Sequence, residues 1–486
     1  MPQLSHLDTL TLRQTVRIED LLLLPAHVPF PTGQDRMYAL AESYAAERSA
    51  NAGNEPGWTR NMPLDVQMYL RMHYALTCED AFQIVGRLTY AGLSYLVLGG
   101  GLCEDVFHTF NLWRLSYIKQ LGYLQVPDYN KIERLGPLSE GTRGLHILDV
   151  MAIASVIGYN LGLSKSVMHT LRTEALTHDT GTPAGGDSVK MIDPLGLDED
   201  ANYSLILDRI DFASLAEKYD LDRNTLIEGI QNKGLLGEIL DIADKLAYVA
   251  RDLTNCRHHL EAGELRGDLP GPQALIKLLQ EFPHVCGIWD CIQKTDDGRI
   301  FFTDAKRLVA FLKVRVLLFR ELYYHPASRY GEFLISRILV KYLYDTGKVT
   351  RDQLLTMFDA ELQMRLNKEF GIELGLETCA SDIARVAQFW TLDEGKAFRD
   401  QLQLRNNPFV ILDDNRQSIK TGDHFLVATP DGPRPLSEAD PQSTTELQEL
   451  ATARPMVHVY YLDGIPKLKK KKLEKLVADL HSSAAR

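Results

Sequence analysis

Two histidines and two aspartates are the residues of this chain whose types and order best suit metal chemistry. They are His146, the adjacent pair His178 and Asp179, and Asp244. Neutral imidazole nitrogens and ionised carboxylate oxygens are ligands that a hard or borderline divalent ion accepts. The adjacent pair is the most informative part, because one helix turn then offers a nitrogen and an oxygen to the same ion. Their order predicts a metal site, provided that the fold brings the four side chains together.

Helical segments are expected to carry the first three of these residues. Apolar residues recur at helical spacing over 145–160, with His146 near the start. A second segment, 166–179, ends in the His-Asp pair directly before TGTPAGGD, whose glycines and proline cannot continue a helix. The pair is therefore expected at a helix end that faces a loop, where a ligand can approach.

Two further helices are expected to complete the site. One covers about 234–254, where Asp241, Asp244 and Tyr248 fall on a single stripe. Asp252 extends that stripe by one turn. The other runs from about 304 to 324.

Length and composition describe an ordinary soluble protein. The chain has 486 residues, of which 45% are hydrophobic and 24% charged, and this length predicts roughly two to four domains. The formal net charge of -12 disfavours a broad nucleic-acid-binding surface. Six scattered cysteines without a CxxC pair indicate a reduced, cytoplasmic protein. With neither a signal peptide nor a run of about 18 apolar residues, no membrane span is expected.

Three regions are predicted along the chain, and the fold class is predicted to be mainly α. Residues 1–105 form an N-terminal extension, largely helical, with helical periodicity from about Pro63 to Tyr95. Residues 106–345 form the helical core. Residues 346–486 form a mixed α/β region, in which FVILDD, HFLVATPDG and MVHVYYLDG are typical of strands and the lysine-rich end is a basic tail.

Four sequence runs around the candidate ligands resemble the HD-domain phosphohydrolases. The runs are RLSYIKQLGYLQVP from position 114, RGLH from 143, THDTGTP from 177 and DKLAYVARD from 244. They are most similar to the deoxynucleoside triphosphate triphosphohydrolases, the dGTPase-like branch. The likeness spans about residues 106–330 with the elements in the same order, which implies a helical HD-domain core.

The resemblance implies roles for further residues. The four metal ligands of the family correspond to His146, His178, Asp179 and Asp244. Its substrate-binding positions correspond to Arg143, Thr182, Lys245, Tyr248, Asp252, Arg315 and Tyr323. The two arginines and the lysine would contact phosphate, since their cationic groups bind phosphate oxygens. The two tyrosines and Asp252 would face the sugar or the base.

One divalent ion is expected at the site. Between Asp179 and Asp244 the sequence contains no histidine, whereas di-iron HD proteins supply extra histidines in that interval. The resemblance therefore favours one tightly held metal over a mixed-valent iron oxygenase. Mn, Mg, Fe, Ni and Zn are not distinguished, and a second ion, Mg²⁺, could arrive with the substrate phosphates.

The loop after the His-Asp pair departs from the family pattern. The family reads HDxGHxPFxH and this chain reads HDTGTPAGGD, so Thr182 and Asp187 replace two histidines. A later His-Glu element falls at Asp198 and Glu199. Because those histidines serve proton transfer and phosphate contact in relatives, three explanations stay open. One of the three carboxyls takes over acid/base catalysis, the substrate has a better leaving group, or the protein binds nucleotide with little turnover.

Hydrolysis of a deoxynucleoside triphosphate to a deoxynucleoside and inorganic triphosphate is the expected reaction, carried out by metal-activated water. The alternatives are a phosphatase or phosphodiesterase acting on another nucleotide, and a nucleotide-sensing protein. Relatives are often oligomers, so a homo-oligomer is expected. The lysine-rich tail leaves contact with nucleic acid open.

Overall fold

The fold of the chain is known for most of its predicted helical core and for much of the C-terminal region. The computed structural model describes residues 43–51, 56–61, 70, 83–89, 92–98, 101–123, 125–127, 134–137, 142–261, 288–324, 326–370, 386–402, 407, 409–415, 419–422 and 424–461. The lysine-rich tail predicted near the C-terminus lies outside these residues.

Helices make up most of the described chain, which confirms the mainly α fold class. A helical stretch over residues 43–50 is followed by α1 (Leu102–Thr109), α2 (Arg143–Asn160), α3 (Lys165–Thr177), α4 (Gly186–Lys190), α5 (Glu199–Leu207), α6 (Phe212–Tyr219), α7 (Arg223–Ile230), α8 (Gly234–Glu261) and α9 (Ala305–Leu318). The later helices are α10 (Pro326–Phe333), α11 (Lys341–Asp345), α12 (Arg351–Thr356), α13 (Asp359–Phe370), α14 (Leu392–Gln401), α15 (Leu436–Ala439) and α16 (Pro441–Ala451). Short 3-10 or π-helical turns cover Gly57–Asn61, Leu112–Tyr117, Ile288–Cys291, Phe319–Tyr323 and Leu334–Val340.

Four small sheets accompany the helices. The strands are β1 (Gln83–Thr89), β2 (Gly92–Leu98), β3 (Gln125–Pro127), β4 (Arg134–Pro137), β5 (Ile292–Lys294), β6 (Ile300–Phe302), β7 (Val386–Phe389), β8 (Val410–Asp414), β9 (Leu426–Val427), β10 (Arg434–Pro435) and β11 (Val457–Tyr461). β1 pairs with β2 and β3 with β4, and the larger sheets have the orders β10-β9-β6-β5 and β7-β11-β8. All pairs are antiparallel except β6 with β9. Strands from both sides of residue 345 therefore share one sheet.

The N-terminal hairpin is the clearest departure from the predicted structure. β1 and β2 pair antiparallel from Gln83 opposite Leu98 to Thr89 opposite Gly92, so helical periodicity predicted as far as Tyr95 is wrong over this stretch. A short apolar run is compatible with either period, and pairing with a partner strand decides between them. The strands predicted in the C-terminal region are confirmed as β8, β9 and β11.

α2 lies at the centre of the helical core and carries the first candidate ligand. Almost every side chain along it is buried, polar and apolar alike, which is expected of a helix with neighbours on all sides. Gly144, in its first turn, packs against the 3-10 helix Leu112–Tyr117, where a Cβ atom would lie 2.6 Å from the Ser116 hydroxyl oxygen. Thr142 caps the helix by accepting a hydrogen bond from the Leu145 N–H. These contacts fix the first turn of α2 and hence the position of His146.

The predicted long helix at 304–324 is confirmed, with an irregular end. Asp304 caps α9 by accepting a hydrogen bond from the Arg307 N–H at 3.1 Å. The next turn, Phe319–Tyr323, is π-helical, and π turns in helices are frequent at functional sites. Among the described residues, no helix combines the length and the apolar composition needed to cross a bilayer.

Glu174, on α3, has a carboxyl group that is buried in the core without a hydrogen-bond partner among the described residues. Its side chain is fully buried, and neither carboxyl oxygen has a hydrogen-bond partner among the described residues. A Cβ atom at Gly229 would collide with it, so α7 passes directly against this carboxyl. Burial raises the pKa of Glu174 well above its usual range. Burial therefore favours the protonated, neutral form of this group in the folded protein.

We expect Glu174→Gln to stabilise the protein increasingly as the pH rises. The native chain must take up a proton at Glu174 to fold above the ordinary carboxyl pKa of 4.5, and glutamine removes this requirement. A carboxyl whose folded-state pKa is raised contributes stability that is present below its unfolded pKa and is lost as pH rises. The free energy of unfolding of the variant, relative to the parent, should grow by up to about 1.4 kcal/mol per pH unit above that value.

Denaturant unfolding between pH 4 and 8 measures this difference. The matched control is Glu217→Gln, the same change at an exposed position on α6. A Glu174→Gln difference that stays constant across the pH range would contradict the prediction.

Candidate metal centre

The two histidines and two aspartates predicted as ligands lie together at the junction of three helices. His146 belongs to the first turn of α2, and Asp244 lies on α8. His178 caps the C-terminal end of α3, and Asp179 comes directly after it. One potential ligand atom from each of His146, His178 and Asp179 lies within 4.8 Å of the other two. The Asp244 carboxylate is 2.9 Å from His146 Nε2 and 3.9 Å from His178 Nε2. The fold therefore brings all four side chains to one place.

The ring of His178 is oriented as a metal ligand would need to be. Its Nδ1 lies 2.8 Å from the carbonyl oxygen of Ala175, and since a carbonyl can only accept, Nδ1 carries the proton. The other nitrogen, Nε2, is buried and has no hydrogen-bond partner among the described residues. It lies 3.7 Å from Asp179 Oδ2. A buried imidazole lone pair that faces two carboxylates fits a divalent cation.

Asp179 is held in its ionised form by the residues around it. Burial opposes ionisation and is the largest single effect, but Arg143, His178, His146 and Lys190 together outweigh it and hold the pKa of Asp179 far below its usual range. Arg143 Nη1 donates to both carboxylate oxygens, at 3.1 and 2.8 Å. The Thr182 hydroxyl donates to Asp179 Oδ1 at 3.4 Å. The carboxylate is thus oriented and charged before any ion binds.

His146 and Asp244 form the opposite side of the cluster. Burial tends to lower the pKa of His146, yet the hydrogen bond to Asp244 and the charge of that carboxylate raise it overall. Burial tends to raise the pKa of Asp244, and the same hydrogen bond keeps it below its usual range. In the absence of an ion, the two side chains satisfy each other.

A cavity of about 400 Å³ opens next to the cluster, and its walls are strongly acidic. The carboxylates that line it are Asp179, Asp187, Glu199, Asp200, Asp241, Asp244, Asp252 and Glu332. The cationic side chains in the lining are Arg143 and Arg329, together with the imidazole of His178. A phosphate group could enter such a cavity only if further positive charge balanced the carboxylates.

Three aromatic side chains form a wall of the cavity. Tyr248, Phe319 and Tyr323 line it, and the Phe319 and Tyr323 rings meet edge to face with their centroids 4.9 Å apart. The Tyr323 hydroxyl donates a hydrogen bond to the buried carboxylate of Asp252. Because Phe319 and Tyr323 bound the π turn, the irregular end of α9 places both rings in this wall.

Two of the three cations predicted to contact phosphate lie behind the cavity walls. Lys245 forms an ion pair with Asp241 one turn earlier on α8. Arg315 donates to the Tyr248 hydroxyl and to the carbonyl oxygen of Lys420. Neither is among the residues that line the cavity. Arg143 does line it, and there it also binds Asp187 through Nη2.

Of the four candidate residues in the loop and at the start of α5, two line the cavity and two do not. Asp187 and Glu199 line the cavity, as predicted for groups that act on a substrate. Thr182 is fully buried and bonds to Asp179, so it touches the ligand rather than the cavity. Asp198 caps α5 by accepting a hydrogen bond from the Ala201 N–H at 2.7 Å and is not part of the lining.

Several residues of the site were not predicted. Gln120 and Leu121 line the cavity, and so do Arg329 and Glu332, which form an ion pair at 2.7 Å on α10. Gln120 and Leu121 belong to the run that resembles the family, so their position was a usable signal. The charged pair three residues apart on α10 was another. Lys190 was not predicted either, and it pairs with Asp187 three residues before it and with Glu199 on α5.

Comparison with known proteins places the fold but gives no family assignment. No family model matches the sequence, and no curated protein matches it either. A crystal structure of a hypothetical protein from Aquifex aeolicus has a TM-score of 0.50 at 15% identity and covers 82% of this chain and 100% of that one. A crystal structure of a phosphohydrolase from Bacteroides thetaiotaomicron has a TM-score of 0.51 at 15% identity and covers 78% of this chain and 99% of that one. The chain therefore shares its fold with a solved phosphohydrolase.

Removal of one candidate ligand should abolish metal binding. We expect His178→Ala to weaken binding of a divalent ion by more than the roughly 10- to 100-fold that loss of an outer-shell partner costs. Metal content after purification, followed by titration of the stripped protein with Mn²⁺ or Zn²⁺, measures the effect. The control is His169→Ala, a histidine on the same helix whose Nδ1 lies 3.4 Å from the Tyr219 carbonyl oxygen. Equal metal content in the two variants would rule out the centre.

Proposed function

We propose that this protein is a metal-dependent phosphohydrolase and that the His146, His178, Asp179 and Asp244 cluster is its metal centre. The observation that carries the proposal is the buried, unpartnered Nε2 of His178, which faces two carboxylates at the edge of a cavity. The shared fold with a solved phosphohydrolase supports it. The resemblance of the sequence runs around the ligands to HD-domain phosphohydrolases supports it as well.

The chemistry of such a site divides between the ion and the protein. A divalent ion, when bound, supplies Lewis acidity that polarises a phosphoryl oxygen and lowers the pKa of a water ligand. The protein fixes the ligands beforehand, because Arg143 and Thr182 orient Asp179 and the Ala175 carbonyl orients His178. Arg143 also lines the cavity, where its guanidinium can contact a phosphate oxygen.

A deoxynucleoside triphosphate is the substrate that we propose first, with a deoxynucleoside and triphosphate as products. The aromatic wall and Asp252 suit a sugar and a base, since a ring stacks on an aromatic face and a carboxylate accepts a hydrogen bond from a hydroxyl. The acidic lining suits a polyphosphate only when Mg²⁺ accompanies it, because the ion neutralises charge on both partners. We therefore expect hydrolysis to require a divalent ion beyond the one at the centre.

A phosphatase or phosphodiesterase acting on a less charged nucleotide is the second candidate. The position of the cations favours it, since Lys245 and Arg315 are bonded behind the walls and Arg143 lines the cavity. One phosphate needs fewer cations than three. A nucleotide-sensing protein is the third outcome, and it predicts tight binding without product.

Product analysis separates these candidates. We expect the metal-loaded protein to release triphosphate from at least one deoxynucleoside triphosphate, as resolved by ion-exchange chromatography. Orthophosphate from a monophosphate or a cyclic nucleotide would favour the second candidate. Asp244→Asn should lower kcat by about 10³-fold or more, since the several kcal/mol that a metal supplies correspond to such a factor.

The matched control for Asp244→Asn is Asp208→Asn. Asp208 forms an exposed ion pair with Arg223, away from the cavity. Full activity in the Asp244 variant, with unchanged metal content, would exclude hydrolysis at this centre.

A further inference from the structure

We propose that Lys190 is a positioning residue that holds Glu199 as the proton donor of the site, in place of the loop histidines that this chain lacks. The inference rests on the proposed phosphohydrolase function. It assigns a role to a lysine that no sequence pattern marked, and it selects one carboxyl from the three candidates.

Lys190 links two acidic side chains of the cavity wall. It ends α4, and its ammonium group lies 2.8 Å from Asp187 Oδ1 and forms a second, shorter contact with Glu199 Oε1. Asp187 in turn binds Arg143, and Arg143 binds Asp179. A series of alternating charges thus runs from Glu199 to a metal ligand. Each carboxylate in the series is balanced by a cation on at least one side.

Glu199 has one anchored oxygen and one available oxygen. Oε1 accepts the hydrogen bond from Lys190, whereas Oε2 is buried and has no partner among the described residues. Glu199 lines the cavity and Lys190 does not, so the lysine approaches from behind. Gly181 allows this arrangement, because a Cβ atom there would lie 3.0 Å from the Glu199 Cα. The first residue of α5 thereby packs against the turn that carries Asp179.

The charges that face Glu199 suit a proton donor at neutral pH. Burial raises the pKa of Glu199 to about 7, Lys190 opposes that rise, and Asp179 and Asp187 add to it. The positive charge of Arg143, on α2, also interacts with Glu199. Asp200, the next residue along α5, lines the same cavity. An acid whose pKa lies near the working pH transfers its proton most effectively.

The other two candidate carboxyls are less suited to this role. Partial desolvation in the cavity tends to raise the pKa of Asp187, but the charges of Arg143 and Lys190 outweigh it and keep that pKa below its usual range. Asp187 is therefore ionised at neutral pH and has no proton to give. Asp198 is engaged in capping α5, outside the cavity lining.

The proposed step is a single proton transfer. As the bond between phosphorus and the leaving oxygen breaks, its electron pair stays on that oxygen, which takes the proton from Glu199 Oε2. Glu199 becomes a carboxylate, and the Lys190 ammonium stabilises the new charge through Oε1. Solvent returns a proton to Glu199 after the products leave.

Opposite changes in the titration of Glu199 test this arrangement. Lys190→Met removes a neighbouring positive charge and should raise the pKa of Glu199 by about one to three pH units, whereas Asp187→Asn removes a negative charge and should lower it. Infrared difference spectra of the metal-free protein against pH report the protonated carboxyl band of Glu199. Glu199→Gln identifies the band by its loss. Lys190→Arg, which keeps the charge, is the control and should leave the titration near that of the parent.

The same variants should move the pH profile of kcat. Because the step needs the protonated acid, kcat should fall above the pKa of Glu199, so its alkaline limb moves to higher pH in Lys190→Met and to lower pH in Asp187→Asn. Glu199→Gln should lower kcat by about 10²- to 10⁴-fold and remove the limb. An unchanged titration in Lys190→Met, or full kcat in Glu199→Gln, would overturn the proposal. The infrared readout needs no turnover, so its failure is distinct from an absence of phosphohydrolase activity.

Discussion

Carboxylates that are buried close together must be balanced by positive charge, and this constraint governs the centre of the molecule. At about 4 Å, two like charges repel by roughly 4 kcal/mol even at an effective dielectric constant of 20. Eight carboxylates line the cavity, and few cations face them. Arg143, Lys190 and Arg329 each bridge two carboxylates and supply part of the balance. At the cluster of two imidazoles and two carboxylates, a divalent ion would supply further positive charge.

Arg143 is the residue on which the two halves of the site depend. One side of its guanidinium orients Asp179, and the other binds Asp187. A substrate phosphate that approaches this arginine must compete with Asp187, whose side chain is 56% exposed, rather than with Asp179, which is buried. Asp187 is thus the carboxylate that can move aside without disturbing the ligands. The aspartate in this loop therefore affects the electrostatics of the cavity next to Arg143.

The sequence predicted the helices and the order of the candidate ligands better than it predicted which way the surrounding charged side chains point. Helical periodicity and the loop after the His-Asp pair located α2, α3 and α8, because these signals are local. The hairpin β1–β2 was missed, because pairing between strands is not visible in a periodicity. Lys245 and Arg315 could not be placed, since a helix stripe does not tell whether a long side chain turns to a cavity or to a neighbour such as Asp241. Lys190 was missed for the same reason, because its second partner, Glu199, belongs to another helix.

The C-terminal region also contacts arginines around the cavity, and this has a consequence for biosynthesis. Asp413 on β8 pairs with Arg329 at 3.4 Å, and the carbonyl oxygen of Lys420 accepts from Arg315. Both arginines are largely buried, and each lacks one of its polar partners until the C-terminal region is in place. A nascent chain that has emerged only as far as α10 cannot close this region, although all four candidate ligands have already been synthesised. These contacts around the pocket are therefore completed only after the last quarter of the polypeptide has been synthesised.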